Sequence, residues 1–349
     1  MLKILIVYAS FGKGHQKAAQ AIGEHLSASS YDLLDFSNKF LKRIYDLSYK
    51  LSTQYFPFVW RVIFHLAGKE QAGYFISKIQ EKIFASFLCY LRQVKPQVVI
   101  ATHFFPASLA ASLKNEWDFK LVSIITDLGV HPLWVDEGVD FYFTALDMAK
   151  EYLINRGVEG RRIISGVVSL RRGFFKEAEG QRLENKFFVN KKPVILFIFS
   201  LSGNFLFLKL VVKYLLDDFN VFVIYGGNRR IKKYLETVTS SQLRFCEFYE
   251  DIWEIIDCSF VIVSKPGGLT VFEGIYKRKP FIFTGYIPGQ EKVNMDLLLK
   301  YNVARFAKTK DKFIEAVYYF KDKTLAMQRE YPLKVKSIET EMRKLIERF

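Results

Sequence analysis

Short apolar runs of valine, isoleucine and phenylalanine alternate with segments of helical period almost from end to end of this sequence. These runs are apolar throughout, which is typical of parallel strands that are covered by helices on both faces. The predicted strands span 3–9, 97–102, 121–127, 141–145, 162–167, 194–200, 221–227, 243–248, 260–265 and 280–285. The pattern predicts an α/β protein with two doubly wound domains.

One charged stretch, "RRGFFKEAEGQRLENKFFVNKK", interrupts this rhythm near the middle of the 349-residue chain. Chains of this length usually divide into two domains, and charged stretches without periodicity often mark the boundary. We therefore predict an N-terminal domain at 1–172, a linker at 173–192 and a C-terminal domain at 193–330. Residues 331–349 have a helix-forming composition, and we expect them to pack back on the first domain.

Residues 37–66 form a segment that is both basic and aromatic, with five lysines or arginines and a single acid, Asp46. Such a mixture suits a bilayer interface, where aromatic rings lie at headgroup depth and cations meet anionic lipids. The alternative is a helical insertion whose aromatic residues form its own core. The membrane interpretation places Trp60 on the side of a lipid acceptor.

The formal net charge is +15, with an isoelectric point near 9.5. A positive field attracts nucleic acid, anionic lipid or a phosphorylated substrate, although a lysine-rich surface also serves solubility. The basic residues form no known nucleic-acid module, so we expect no nucleic-acid partner. The three cysteines lack metal-ligand spacing, and no apolar run approaches the roughly 20 residues of a membrane span. We expect a cytoplasmic protein without a metal site.

The stretch "ASFGKGHQKAAQAI" directly follows the first predicted strand. Ligands of open α/β sheets bind beyond the carboxyl ends of the strands, so this turn is a candidate site. Gly12 and Gly14 permit positive φ and a close approach of the backbone. His15 then falls in the first turn of the following helix.

Three interpretations of this turn stay open at the level of the residues. A dinucleotide-binding turn would use Asp35 for a ribose, but Lys17 stands where a third small residue belongs. A general base would use His15, because a helix N-terminus disfavours the imidazolium and keeps the ring neutral. A lone histidine can also simply cap or pack against a helix.

A second motif, "SKPGGLTVFEG" at 264–274, also follows a predicted strand, and "TGYIPGQEKVN" at 284–294 follows the next. The Pro-Gly-Gly turn leads into a helix whose N-terminus can hold a diphosphate. Glu273 lies about one and a half turns inside, where its carboxylate can accept hydrogen bonds from a ribose diol. The two motifs together indicate a nucleotide-sugar site, with these candidate donor-binding residues: Lys265, Gly267, Gly268, Leu269, Thr270, Glu273, Gln290, Glu291 and Asn294.

These motifs, with "TDLGVHPLWVDEGVDFYFTALDMAKEYLINRGV", resemble the glycosyltransferase family of the monogalactosyldiacylglycerol synthases and processive diacylglycerol glucosyltransferases. The resemblance covers nearly the whole chain. It implies the GT-B fold, in which two Rossmann-like, doubly wound domains face each other across a cleft. The lipid acceptor is then expected on the first domain and the UDP-sugar on the second. The resemblance also implies transfer with inversion at the anomeric carbon and without a metal or other cofactor.

Carried over by resemblance, His15 is the catalytic base and Glu273 binds the ribose. The "Thr-Asp-x-x-x-His" element assigns Asp127 a catalytic or orienting role, or the role of a cap, and places His131 with Gly12 and Gly14 on the acceptor side. The donor loop of the family corresponds to Gln290, Glu291 and Asn294.

Two motifs depart from the family's pattern. The glycine-rich turn after the first strand of the second domain is reduced to "FSLSGNF", with Gly203 and Ser202 as candidate phosphate contacts. The chain also has "GVVSLRR" where the family has "Gly-Ile-Pro-x-Arg", so the proline before the linker is missing. Both departures are compatible with a specialised acceptor.

The resemblance therefore implies a hexosyltransferase that acts on diacylglycerol at the inner face of the cell membrane, with the anionic bilayer surface as a partner. Transfer of N-acetylglucosamine to a polyprenyl-linked precursor is the alternative within this class, and an NAD-dependent oxidoreductase is the alternative outside it.

Overall fold

The computed structural model describes residues 2–10, 13–38, 81–176, 186–200 and 204–349. The chain forms two compact units: residues 1–172 with 288–290 and 335–349, and residues 173–287 with 291–334. Most of the predicted basic aromatic segment, residues 39–66 with Trp60, lies outside the described residues, as do 177–185 of the predicted linker. None of the helices in the described ranges is long and apolar enough to cross a bilayer.

The first unit contains a fully parallel sheet of six strands in the order β2-β1-β3-β4-β5-β6. Its strands are β1 (Ile4–Tyr8), β2 (Ser30–Asp32), β3 (Val98–Ala101), β4 (Lys120–Ile124), β5 (Phe141–Phe143) and β6 (Ile163–Ile164). The described helices between them are α1 (Lys13–Leu26), α2 (Ala85–Val94), α3 (Phe104–Ala111) and α4 (Asp147–Asn155). The predicted strand at 162–167 ends early, because Gly166 turns the chain with a φ of 78°. Val167–Val168 form a separate short strand, β7, in another sheet.

The second unit repeats the architecture, with parallel strands in the order β10-β9-β8-β11-β12-β13. They are β8 (Val194–Ile198), β9 (Asn220–Ile224), β10 (Leu243–Cys246), β11 (Ser259–Ser264), β12 (Phe281–Phe283) and β13 (Ala304–Phe306). The helices are α5 (Phe205–Leu215), α6 (Arg229–Leu235), α7 (Ile252–Cys258), α8 (Gly268–Tyr276), α9 (Gln290–Lys300) and α10 (Lys310–Arg329). Apolar residues of the strands and of α5 and α10 share one buried cluster.

The last residues of the chain belong to the first unit. Strand β14 (Lys336–Ser337) pairs in parallel with β7, and helix α11 (Ile338–Ile346) follows it. Ile338, Met342 and Leu345 of α11 are buried in one cluster with Ala19 and Ile22 of α1. The packing of α11 thereby holds α1 against its sheet from the outside.

The predicted linker at 173–192 is partly built into the second unit. Phe174 is buried and its ring meets Trp253 edge to face, and Phe187 and Phe188 are buried as well. The sequence did not predict the burial of these phenylalanines, because they are separated by charged residues and show neither the strand nor the helix period.

All strands stay parallel, but the order in which the chain adds them to the sheet reverses once in each unit, between β1 and β3 in the first and between β8 and β11 in the second. Crevices open at such reversal points, beyond the carboxyl ends of the two strands, because the flanking connections run to opposite faces of the sheet. The loops after β1, β3, β8 and β11 are therefore the places in this fold where a ligand is expected.

Candidate functional site

His15 lies in the first turn of α1, just beyond the carboxyl end of β1 and at the reversal point of the first sheet. Gly14 is inside this helical turn and does not use the positive φ that a glycine permits. Gly12 lies outside the described residues.

Two threonines from neighbouring strand ends hold the His15 ring. Nδ1 of His15 lies 2.7 Å from the carbonyl oxygen of Thr102, after β3, and 2.9 Å from Oγ1 of Thr126, after β4. The Thr102 hydroxyl also donates to the backbone carbonyl of His15 at 3.0 Å. A carbonyl oxygen can only accept, so Nδ1 carries the proton and Nε2 holds the lone pair.

The His15 ring is only partly accessible to water. Desolvation lowers the pKa of His15 to about 4, and the hydrogen bond to Thr102 acts in the opposite direction. The imidazole is therefore neutral near pH 7, as the sequence predicted. The main physical cause is burial of the ring, whereas the sequence suggested the helix dipole.

His103 is a second histidine at this site that sequence reasoning missed. It follows Thr102 at the end of β3, and its ring meets that of His15 edge to face with centroids 4.6 Å apart. His103 Nδ1 accepts from the Phe105 backbone N–H at 3.1 Å and caps α3. Burial, with the neighbouring His15, holds the pKa of His103 well below its usual range. His103 could have been predicted as a site residue, because it directly follows the predicted strand at 97–102.

Asp127 and His131 follow Thr126 on the same loop, and both are buried. His131 Nδ1 accepts from the Leu133 backbone N–H at 3.3 Å and caps a 3₁₀ turn at Pro132–Trp134. Its ring centroid lies 6.2 Å from that of Phe104 at the start of α3. In the structure His131 therefore caps this 3₁₀ turn and lies beside Phe104.

Asp35, the ribose candidate of the dinucleotide interpretation, lies in a 3₁₀ turn at Leu33–Phe36. Asp32 occupies the strand end instead, where Oδ1 accepts the backbone N–H groups of Ser10 at 3.3 Å and Leu34 at 3.0 Å. The carboxylate at this strand end is therefore already engaged in holding the loop after β1.

In the second unit, the Pro266–Gly267–Gly268 turn follows β11 at the reversal point and leads into α8. Gly267 is the N-cap residue and provides no side-chain cap, so the first turn of α8, including Leu269 and Thr270, presents backbone N–H groups. A Cβ on Gly267 would lie 3.9 Å from its nearest protein neighbour, Glu291 Oε1, and the φ of −70° suits any residue. Neither the backbone conformation nor protein packing requires glycine here, which is consistent with close approach of a ligand.

Glu273 lies in the second turn of α8 and is only 5% exposed. Because Glu273 is buried to this extent, only a small part of its surface is accessible to a ligand. The neighbouring Gly274 has a different role, since a Cβ there would overlap the ring of Phe281.

The predicted donor loop supports the Pro-Gly-Gly turn. Lys265 Nζ donates to Glu291 Oε1, and Glu291 Oε2 accepts the backbone N–H of Ile287 at 2.7 Å. Asn294 is fully buried and donates through Nδ2 to the carbonyl oxygen of Pro266 at 3.0 Å. Direct contact between Asn294 and a donor, as the resemblance implied, does not fit this burial. Gln290 begins α9 and is partly exposed.

Ser202 and Gly203 lie outside the described residues. Phe199, shortly before them, packs against a turn at Gly226, which the sequence analysis did not identify. Gly226 after β9 has a φ of 56°, and a Cβ there would overlap the carbonyl of Phe199. Only glycine allows the two loops to lie this close.

Residues 15–166 match the family described as monogalactosyldiacylglycerol (MGDG) synthase. Among curated proteins, the chain is 26% identical over 317 residues to a processive diacylglycerol beta-glucosyltransferase of Bacillus cytotoxicus, covering 84% of this chain and 78% of the relative.

Solved structures with the same fold include MurG of Acinetobacter baumannii, with a TM-score of 0.64 and 14% identity over 99% of this chain and all of MurG. They also include the UDP-GlcNAc 2-epimerase of Neisseria meningitidis bound to UDP-GlcNAc, with a TM-score of 0.61 and 14% identity over the full length of both chains. At this identity the likeness shows the fold, and the predicted GT-B class is confirmed.

Proposed function

We propose that this chain, whose residues 15–166 match the monogalactosyldiacylglycerol synthase family, transfers a hexose from a UDP-sugar to diacylglycerol with inversion at the anomeric carbon. The observation that carries this proposal is the neutral His15 imidazole. Its Nδ1 proton is held by Thr102 and its Nε2 lone pair is available at the reversal point of the sheet.

The first unit supplies the base. His15 Nε2 takes the proton of the acceptor hydroxyl while the oxygen attacks C1 of the sugar, and the bond from C1 to the diphosphate breaks with its electron pair leaving on UDP. General-base assistance of this kind is typically worth about 10² to 10⁴ in rate. Thr102 and Thr126 contribute by fixing the ring and its tautomer.

The second unit binds the donor in this proposal. The uncapped N–H groups at the start of α8 hold the diphosphate, and Glu273 accepts hydrogen bonds from the ribose. The positive end of the helix stabilises the charge that grows on UDP as the bond breaks. Lys265 is already paired with Glu291, so the helix terminus is the larger contribution. We propose that transfer requires no metal or other cofactor.

Diacylglycerol stays in its membrane, so the enzyme has to work at the bilayer surface. The net charge of +15 favours an anionic leaflet. We propose peripheral association with the inner face of the cell membrane, with residues 37–66 as one contact. The proposed location of the protein is therefore the cytoplasm.

The decisive experiment incubates the purified protein with diacylglycerol in anionic micelles and a panel of UDP-glucose, UDP-galactose and UDP-N-acetylglucosamine. Mass spectrometry identifies the glycolipid, and NMR of the product gives its anomeric configuration. We expect a monohexosyl or oligohexosyl diacylglycerol of inverted configuration. Transfer to a polyprenyl phosphate but not to diacylglycerol would refute the acceptor assignment, and retention would refute the single-displacement mechanism.

A substitution at Glu273 tests the proposed donor site of the second unit separately. Glu273→Ala should raise the KM for the UDP-sugar by roughly tenfold, the loss of one to two polar contacts, with a smaller effect on kcat. An unchanged KM with a reduced kcat would contradict the ribose assignment.

A further inference from the structure

Helix α5 of the second unit exposes a line of large apolar side chains. Leu206, Leu210 and Tyr214 are 73%, 51% and 59% exposed. They are four residues apart, so they lie along one face of the helix. The opposite face of α5, with Phe207, Leu208, Val211, Val212 and Leu215, is buried in the core. We call the three exposed residues the α5 strip.

Cations border the α5 strip on one side. Lys209 and Lys213 are exposed and lie next to it on the same helix. Beyond them runs α6, which contacts α5 through a hydrogen bond from the Tyr234 hydroxyl to the Lys209 carbonyl at 3.2 Å. The exposed cations of α6 are Arg229, Arg230, Lys232 and Lys233, of which Lys232 pairs with Glu236.

Another cation borders the strip on its other side. Lys310, in the first turn of α10, lies 3.0 Å above the ring centroid of Tyr214. A groove of about 400 Å³ continues from there between α5 and α10, and its walls are mainly aromatic and aliphatic. It is lined by Tyr214, Leu215, Phe219, Lys310, Asp311, Ile314 and Tyr318. Acids also occur at this end, where Asp218 accepts from the Tyr318 hydroxyl.

Single exposed leucines are ordinary on a protein surface, but a line of large apolar side chains beside a row of cations is the pattern of an interfacial helix. Apolar side chains enter the boundary of the acyl chains, while the cations remain at the level of the lipid phosphates. Three side chains also bury far less area than the roughly 800 Å² per partner of a stable protein interface. A bilayer needs no matching shape.

We propose that the α5 strip and its flanking cations dock the second unit on an anionic lipid bilayer. Leu206 and Leu210 insert, and Lys209, Lys213 and the α6 cations bind lipid phosphates. This inference does not depend on the proposed transferase activity. It is also separate from the expectation for residues 37–66, which belong to the first unit.

A local probe tests the docking face without relying on overall binding. The full chain carries Leu210→Cys with an environment-sensitive fluorophore, in a Cys89→Ser background because Cys89 is the exposed native cysteine. The background chain without the new cysteine serves as the labelling blank, and Lys300→Cys on α9 is the matched control. Vesicles of phosphatidylcholine with phosphatidylglycerol carry nitroxide quenchers on the acyl chains.

We expect a blue shift and nitroxide quenching at position 210 but not at position 300, and only with phosphatidylglycerol present. Vesicles that bind the protein while the probe at 210 stays unquenched would overturn the proposal, because another segment would then carry the binding. Quenching that is equal on pure phosphatidylcholine would overturn the role of the cations.

Sedimentation with the same vesicles measures the contribution of each part. Lys209→Gln with Lys213→Gln should weaken binding roughly tenfold or more, since each cation near an anionic surface contributes about fivefold. Leu206→Gln with Leu210→Gln should weaken it further while preserving the helix. The controls are Lys300→Gln with Arg329→Gln, and Val189→Ser, which alter equally exposed residues elsewhere. Equal effects in test and control variants, or loss of a protein dimer instead of vesicle binding, would refute the lipid assignment.

Discussion

Nδ1 of His15 donates to the carbonyl oxygen of Thr102 across a separation of 2.7 Å, joining the first turn of α1 to the end of β3. This single bond decides which ring nitrogen can act as a base. The bond uses a backbone acceptor, so side-chain replacement at Thr102 leaves it in place.

Replacing His15 should remove the base and leave the donor site intact. We expect His15→Ala to lower kcat by about 10² to 10⁴ while the affinity for UDP changes little, because the Pro-Gly-Gly turn and Glu273 belong to the other unit. Steady-state kinetics and calorimetric titration with UDP measure the two effects. A variant that keeps most of its turnover would remove His15 from the mechanism.

The low pKa of His15 predicts the pH dependence of stability. In the folded protein the His15 imidazole, with a pKa of about 4, stays neutral down to about pH 4, whereas a histidine in the unfolded chain has a pKa near 6.5. The contribution of the neutral His15 ring to the free energy of unfolding is therefore fully present above pH 6.5, and it is lost as the pH falls from 6.5 to 4. For His15 the loss is on the order of 3 kcal/mol. Urea unfolding of the native protein and of His15→Gln at pH 7.5 and 4.5 tests it, and the variant should lose less stability on acidification.

His103 should help to keep the His15 pKa low. His103→Phe keeps an aromatic ring against His15, so the acid limb of kcat/KM should stay near pH 4, at a cost of about 1 kcal/mol for the lost helix cap. His103→Asn keeps a capping group but admits water, so the limb should move toward 6.5. Identical pH profiles for both variants would show that His103 has only a structural role.

Two glycines of α8 provide a matched pair. Gly267→Ala has room within the protein and should lower the stability by only about 1 kcal/mol, because alanine is a poorer N-cap than glycine. The new methyl group at the helix N-terminus should weaken UDP binding by tenfold or more. Gly274→Ala should instead destabilise the fold, because its Cβ meets Phe281. Thermal unfolding and UDP titration separate the two outcomes. Unaltered UDP affinity in Gly267→Ala would place the diphosphate elsewhere.

Asn294 should act through the turn that it supports. Asn294→Leu has a similar volume but leaves the buried Pro266 carbonyl without its amide donor, which costs about 1–3 kcal/mol and loosens the turn. We expect a higher KM for the donor and a weaker affinity for UDP, with Lys292→Ala on the same helix as the control. A loss of stability without any change in donor affinity would assign Asn294 to packing alone.

Sequence reasoning succeeded where local pattern carries the information. Continuous apolar runs predicted ten of the strands, and glycine turns at strand ends predicted His15 and the start of α8. It missed β14 (Lys336–Ser337), and it missed β2 (Ser30–Asp32) and β13 (Ala304–Phe306) at the edges of the two large sheets. These short edge strands carry polar residues, and tertiary pairing with β1 and β12 makes them strands.

The sequence by itself determined the two parallel sheets and the candidate residues at their strand ends, because burial on both faces and glycine turns are local properties of the chain. Tertiary structure alone decided the state of those residues. Thr102 and Thr126 lie 87 and 111 residues from His15 and reach it only because parallel strands bring their carboxyl ends together. Burial of Asn294 and desolvation of His15 likewise arise from packing between distant segments, which no local pattern encodes.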